Sequence, residues 1–542
     1  MAVPVRVAVV VTHGIEDKSG PVTLVVESFV RLHVNREMKM NAQHRAAASL
    51  LSCVTLIGAG ALLMTGCADE REATGTTPAV TSGETTVTTA QSDPSDESVP
   101  VVLDYSPTIS DAGALLYLAS EPSVELLAVT LPGTGEADCD KGVRTTVALL
   151  TLAGRPHVPV GCGRDAPLVG NRDWPDEWRD AANRFPGVVL PSVGDAEVVD
   201  AEALLAGVLA AATQPVTIVA VGPLTNLGVV LADQPELDGA IDRIVVMGGA
   251  ADVPGNVEQA PTAEWNFYID PEAVRRVFAA GVAVEMVGLD ATDHVPWTDE
   301  LVGRLHLLDT AVGRAEHQVV TTRGDLTGVY LWDELAALVA VHPDLVTFER
   351  RTLAVDDDGA TIADAAGASV DVAVAADADA AVDEFLRVLN GGSVPVIEPL
   401  DESAVAYLDR LAESTAAFDA AAQEQFGSLP AEPTLANRAG AAKLVGELFA
   451  AVGLTGDEIA ALEPPEAIAD AHEQLVVAAT ELAGLADAAS AAVADADTGD
   501  FWTALDAAIG STGADASLTR IQQACRSIDE YAVVRGHAPV CG

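Results

Sequence analysis

Positive charge is scarce in this chain: 29 lysines and arginines stand against 81 aspartates and glutamates, a formal charge of -52. A phosphate backbone is held by a basic face that releases its counterions, so a nucleic-acid polymer is excluded as a partner. The acid reads as solvated surface and says nothing specific about a substrate. Cysteine is scarce too, 6 in 542 residues, too few for a disulfide-built scaffold. The fold must therefore rest on packing, and an apolar share of 49% is ample for more than one core.

A long apolar run is also missing. Residues 38–67, MKMNAQHRAAASLLSCVTLIGAGALLMTGC, place Lys39 and Arg45 before an apolar stretch that is short for the ~20 residues of a membrane span. Small residues and then a cysteine end it. The segment resembles a bacterial lipoprotein signal peptide, with Met64-Thr65-Gly66-Cys67 as lipobox and Cys67 as the lipidated first residue of the mature protein; a single spanning anchor is the alternative. This implies export and lipid anchoring to the outer face of the bacterial cytoplasmic membrane. Residues 1–37 would then precede a working signal, and translation is expected to start at Met38 or Met40. Residues 68–98, rich in Thr, Ser, Glu and Pro, are expected to be a disordered tether.

The body is organised around VVLDYSPTISDAGALL, residues 101–116. Val101, Val102 and Leu103 suit a buried parallel strand, and Pro107 with Thr108 turns the chain. Ser110 is a good N-cap and Asp111 falls in the first helical turn, where negative charge is favoured. Asp104 and Asp111 are thus expected to meet at the carboxyl end of a strand, where open α/β sheets bind ligands. Onward, strands are expected at 100–104, 124–131, 158–162, 216–221, 243–247 and 282–289. Helices are expected at 111–118, 141–153, 201–212, 224–232, 271–280, 298–319, 333–341 and 378–389, with a β-like stretch at 346–374. This alternation predicts an α/β fold: a mainly parallel open sheet with helices on both faces.

The segments PVTIVAVGPLTNLGVVLADQPEL and IDRIVVMGGAADVPGNVEQAPTAEWNFYIDPEAVRRVFAAGVAVEMVGLDATDHV follow the pattern of the inosine-uridine-preferring nucleoside hydrolase family, and residues 99–391 resemble it. The resemblance implies hydrolysis of an N-ribosidic bond of a small nucleoside or related N-riboside, assisted by Ca2+. That reaction passes through an oxocarbenium-like state and needs a positioned water, a grip on the sugar hydroxyls and help for the departing base. Calcium accepts about 6–8 oxygen ligands, leaving room for water and a diol beside the protein groups. The resemblance assigns Asp111, the Thr225 carbonyl and Asp333 to the metal. It gives Asn256, Glu264 and Asn266 to ribose hydroxyls and Met247 to the sugar's underside.

The family's opening motif, Asp-X-Asp-Pro-Gly-X-Asp-Asp, is here Asp104 to Asp111, with Ser106 and Ser110 in place of two carboxylates. The family residue matched by Ser106 is a metal ligand and the proposed base; the one matched by Ser110 holds the sugar. A hydroxyl ligates weakly and cannot take a proton near neutral pH. Two carboxylates are candidates to compensate: Asp104, reaching the ion directly or through water if the strand continues, and Glu136 in the next loop. The ordinary alternatives are a structural Asp104 and a solvated Glu136. Trp332 replaces a histidine that would assist the leaving base; an indole stacks but is no acid. Help is expected from stacking or from the insertion NRDWPDEWRDAANRF with Trp174, Trp178 and Arg179. The rival is a nucleoside-binding protein on the same fold that does not hydrolyse.

Cys139 and Cys162 are candidates for a disulfide in an exported protein, two buried thiols being the alternative; Cys525 and Cys541 are expected to pair. After residue 391 the composition turns to Ala, Glu, Asp and Leu at helical spacing. Helices at 403–426, 435–452, 467–494 and 518–533 predict a separate all-α bundle over 392–542, with no metal, nucleotide or nucleophile motif. A homo-oligomer is compatible with this reading.

Overall fold

Ten strands form one sheet, and Val99–Tyr105 lies near its middle. The computed structural model describes residues 98–108, 111–185, 187–194, 198–323, 326–427, 438–496 and 501–541, with two short strands upstream, Ala8–Val10 and Val25–Glu27. The signal segment with Cys67, the tether through residue 97, and Ser110 lie outside the described residues.

In the sheet, β1 is Val99–Tyr105, β2 Val124–Leu131, β3 Val160–Cys162, β4 Val199–Asp200 and β5 Val216–Val221. Next come β6 Ile241–Met247, β7 Val284–Val287, β8 Val346–Val355, β9 Thr361–Ala363 and β10 Ala368–Ala376. Their spatial order is β9-β8-β10-β7-β6-β5-β1-β2-β3-β4. All pairings from β10 through β4 are parallel, and only β8 pairs antiparallel, with β9 and β10. The stretch expected to be β-like is therefore an antiparallel edge added to a parallel sheet, as in many doubly wound folds.

Helices of the body are α1 Ala112–Ser120, α2 Cys139–Leu152, α3 Asp176–Arg184, α4 Ala201–Ala211, α5 Thr225–Asp233 and α6 Trp265–Ile269. They continue with α7 Pro271–Ala279, α8 Leu289–Thr292, α9 Asp299–His306, α10 Ala311–Thr321, α11 Trp332–Val339 and α12 Ala378–Leu389. The helix expected over 298–319 is two, because Thr298 and Thr310 each cap a new N-terminus, accepting from Leu301 N at 3.1 Å and Gly313 N at 2.9 Å. The strand expected to reach residue 289 stops at Val287, since Leu289 N turns to donate to Gly249 O at 3.0 Å and opens α8.

The side-chain alternation of β1 sorts the body into two layers. Val101, Leu103 and Tyr105 join one core with α1, α11 and α12. Val102 faces the other, with Leu205 and Leu209 of α4 and Leu227 and Val230 of α5.

Past residue 391 the described elements are helical: α13 Glu402–Gly427, α14 Arg438–Ala460, α15 Ala469–Gly484, α16 Ala486–Asp495, α17 Phe501–Thr512 and α18 Ala514–Val533. The single helix expected over 467–494 is bent by 44° between α15 and α16, and α17 was not foreseen. Cys525 and Cys541 are bridged, as are Cys139 and Cys162. The first bridge ties α18 to the tail and the second ties the head of α2 to the end of β3.

Candidate active site

From β1 the chain steps outward through β2, β3 and β4, then returns to β5 on the other side of β1. The strand order therefore reverses between β1 and β5, and the crevice beyond their carboxyl ends is where doubly wound sheets take ligands. Ser106 to Thr108 and Asp111 enter it from β1, Gly133 to Glu136 from β2, and Gly222 to Asn226 from β5.

Asp111 and Asp333 converge there, although 222 positions separate them in the sequence. Asp111 precedes α1 and takes a hydrogen bond from Thr108 Oγ1 at 2.5 Å. Asp333 sits in the first turn of α11, and its carboxyl shares a hydrogen bond with that of Asp111. Both are almost wholly buried, and Asp333 Oδ1 has no partner. Burial first, and then the Asp111 charge, hold the Asp333 carboxyl well above the usual range. Two carboxyls this close share a proton unless a cation lies between them, in which case both can be ionised.

More acid lies behind the pair. A Cβ built on Gly113 would come within 2.6 Å of Glu334 Oε1 and 2.9 Å of Glu316 Oε1, so both carboxyls press on the first turn of α1. Burial raises Glu316 to about 8, and burial together with the Glu316 charge holds Glu334 well above the usual carboxylate range. Arg323 is a positive charge acting on Glu136, Glu316 and Glu334, and Arg179 also acts on Glu136.

Asp104 does not join Asp111 and Asp333. The pleat that sends Leu103 and Tyr105 toward α1 sends Asp104 to the α5 side, where its Oδ1 accepts from Thr130 Oγ1 at 2.7 Å and Asn226 Nδ2 at 2.8 Å. Its Oδ2 is buried without a partner, and burial raises the group to about 7. The expectation that Asp104 and Asp111 meet as one acidic pair is thereby corrected. Glu136 is nearer the pair: its backbone N–H donates to Ser106 Oγ at 2.9 Å, and its carboxyl is raised to about 8 by burial and by the Asp111 charge. Glu136 thus flanks the position where a carboxylate has become a serine.

For Thr225 the side chain is defined: its hydroxyl donates to Asp270 Oδ2 at 2.9 Å and lies 2.8 Å from Thr134 Oγ1. Asp270 also accepts from Leu168 N at 3.0 Å and Ala273 N at 3.1 Å, which pins the start of α5 to that of α7.

Glu264, Asn266 and Met247 form a buried set at the end of β6. Glu264 caps α6, taking the amides of Asn266 at 2.9 Å, Phe267 at 3.2 Å and Gly249 at 3.1 Å, and burial raises it to about 7. Its charge reaches Asp333, so it belongs to the same crevice. Asn266 Nδ2 donates to Met247 O at 3.1 Å. Asn256 is exposed, and its Oδ1 accepts from Trp265 N at 3.2 Å.

Trp332 opens α11 beside Asp333, and its indole Nε1–H is buried with no acceptor. Arg323 Cζ lies 5.9 Å from its ring centre, and the Tyr330 ring lies at the same distance. Within the insertion, Trp174 and Arg179 are tied to the neighbouring loop. Trp174 Nε1 donates to Thr134 O at 2.9 Å, and Arg179 donates to Gly135 O at 3.3 Å, Asp138 at 3.0 Å and Asp173 at 2.9 Å. Trp174 and Trp178 pack on Trp265 with ring centres 5.2 Å and 5.1 Å away. The insertion, partly the helix α3, therefore braces the loop that carries Glu136 and the head of α6.

Asn226, Arg323, Glu316 and Glu334 were not singled out from the sequence. Asn226 had a signal, standing next to Thr225 in Gly-Pro-Leu-Thr-Asn. The others had none, because their meeting depends on how α10 and α11 pack against α1.

A parallel sheet with a crevice of close carboxyls, a capping glutamate and a buried amide defines a hydrolase acting on N-glycosyl compounds once the comparisons are added. Residues 101–383, more than half of the chain, match the model of the inosine-uridine preferring nucleoside hydrolase family. The pyrimidine-specific ribonucleoside hydrolase RihA of Shewanella woodyi is 32% identical over 269 residues, 48% of this chain and 85% of that protein. Its namesake from Photobacterium profundum is 35% identical over 224 residues, 41% of this chain and 71% of that one. Among solved structures, the purine-preferring ribonucleoside hydrolase of Gardnerella vaginalis is 28% identical with a TM-score of 0.48, over 54% of this chain and 98% of that one. The chain belongs to the inosine-uridine preferring nucleoside hydrolase family. The reaction of that class is hydrolysis of the ribonucleoside N-glycosidic bond.

Proposed function

We propose that this protein is a calcium-assisted ribonucleoside hydrolase in which Glu136 takes the proton-accepting role that Ser106 cannot fill. The observation carrying this reading is that Glu136 donates its backbone N–H to Ser106 Oγ at 2.9 Å while its carboxyl feels the charge of Asp111. The donor set fits a hard divalent ion: two adjoining buried carboxyls, one with an unpartnered oxygen, in a crevice of oxygen ligands. Asp111, Asp333 and the Thr225 carbonyl would hold it. Bound there, calcium supplies positive charge that orients water and the ribose hydroxyls.

The chain's own groups do the rest. Glu136 accepts a proton from the attacking water, and its raised proton affinity keeps it near the operating pH of a general base. Asn266, Glu264 and Asn256 face the sugar hydroxyls, and Met247 underlies the ring. The unpartnered Trp332 Nε1–H donates a hydrogen bond to the departing base, and Arg323 stabilises the charge developing on it. Asp104 acts as a positioning residue, holding Asn226 and Thr130 so that the β1 and β5 loops keep their spacing.

The test is free ribose released from a panel of purine and pyrimidine ribonucleosides with calcium present. Release by the wild type and its loss in Glu136→Gln is the expected result. Ligand-induced stabilisation with no ribose at any pH would instead identify a binding protein.

The anchoring reading rests on Met64-Thr65-Gly66-Cys67. The protein is lipidated at Cys67 and sits on the outer face of the cytoplasmic membrane; Cys67→Ala should leave it unlipidated and shift it from the membrane fraction.

A further inference from the structure

The site above uses none of the histidines. Two of them, His306 at the end of α9 and His317 in α10, meet Glu530 of α18 where the body touches the C-terminal helices. Glu530 Oε2 lies 3.2 Å from His306 Nδ1 and 3.0 Å from His317 Nε2. The two rings stand edge to face with centres 5.0 Å apart. The candidate ligand atoms all lie within 4.8 Å of one another, and among the described residues this is the only such group of three.

We propose that His306, His317 and Glu530 bind a divalent transition-metal ion of the zinc class, which staples the C-terminal helices to the hydrolase body. Two imidazoles and a carboxylate are a recognised zinc donor set that leaves a fourth position for water. His306, 40% exposed in its side chain, leaves solvent access for it. An oxygen-seeking ion such as calcium is not matched by a set in which nitrogen predominates.

Two further observations point the same way. Glu530 is 5% exposed, yet its Oε1 has no hydrogen-bond partner. The helices are also built to approach closely: a Cβ on Gly303 of α9 would fall 2.7 Å from Glu530 O, and Arg526 of α18 donates to Thr321 O at the end of α10.

The staple has a route to the reaction. His317 follows Glu316, and Glu316 presses on the first turn of α1 just after Asp111. Fixing α10 from outside therefore steadies the inner face on which Asp111 and Asp333 meet.

The full-length protein, stripped with a strong chelator and reloaded with calcium, is titrated with Zn2+ alone; bound zinc is counted by elemental analysis and geometry read from the visible spectrum of a Co2+ substitute. Wild type is expected to hold a single equivalent and give a four-coordinate cobalt spectrum. H317Q and E530Q should lose both, while D333N should keep both. Amide exchange in α18 should slow on zinc addition in wild type and stay unchanged in H317Q. Should E530Q fail to fold, H306Q and H317Q, each bearing a partly exposed ring, decide the matter. Zinc not retained by wild type, or retained equally by H306Q and H317Q, overturns the proposal.

Discussion

Asp104 and Asp111 stand seven positions apart in one motif, yet they end on opposite faces of the sheet and in opposite electrostatic situations. On the α5 face, Asp104 has one oxygen held by Thr130 and Asn226. On the α1 face, Asp111 meets Asp333, with Glu334 and Glu316 close behind and Arg323 as an acting positive charge. The first face is a hydrogen-bonded brace, whereas the second is an excess of buried acid that a cation relieves. A buried carboxylate with neutral donors serves the fold, and a buried carboxylate facing another serves a ligand.

The difference can be broken from the acid-rich side first. Asp333→Asn should cut kcat/KM for ribonucleoside hydrolysis roughly a thousandfold, about 4 kcal/mol of transition-state stabilisation, while the chain stays folded. Glu136→Gln should lower kcat by about two to three orders of magnitude with little change in calcium affinity, the signature of a lost proton acceptor. From the other face, Asp104→Ala should show mainly in unfolding, with a loss of about 2–3 kcal/mol as Thr130 and Asn226 lose their shared acceptor. Chemical denaturation against single-turnover kinetics separates these outcomes.

A pH titration sharpens the comparison more gently. Asp104 and Glu264 are raised to about 7, and Glu136 and Glu316 to about 8. Unfolded carboxyls titrate near 4, so between about pH 4 and 8 the native state binds more protons than the unfolded one. Stability of the calcium-free protein should therefore be greatest at the acid end of that window and fall as pH rises toward 8. Calcium should remove part of the fall, because it replaces the proton between Asp111 and Asp333. The smallest effect is expected for Trp178→Ala, whose side chain packs at the surface of the Trp265 cluster: a change of under about tenfold in KM.

Much of this was legible in the sequence because it is written locally. Strands β2 and β5 and helix α12 fall on the expected residues, since each is an apolar run or periodic stretch bounded by a turn or cap. The meeting of Asp111 with Asp333 was also foreseen, from the family pattern rather than from spacing. What escaped was set by packing. The face to which Asp104 points follows from the pleat of β1, and its reach to the ion was made conditional on a strand continuing past Asp104, whereas β1 ends at Tyr105. Helix α3 was hidden because six of its nine residues are polar and only Ala182 is buried. Arg323, Glu316 of α10 and Glu334 of α11 had no local signature at all.

The most direct test is calorimetric titration of Ca2+ into the chelator-stripped full-length protein, comparing wild type, D111N, D333N and D104N. A single site, abolished in D111N and D333N and kept within about tenfold in D104N, is the predicted result. Calcium binding that survives D333N but disappears in D104N would place the ion on the other face of the sheet and contradict the assignment.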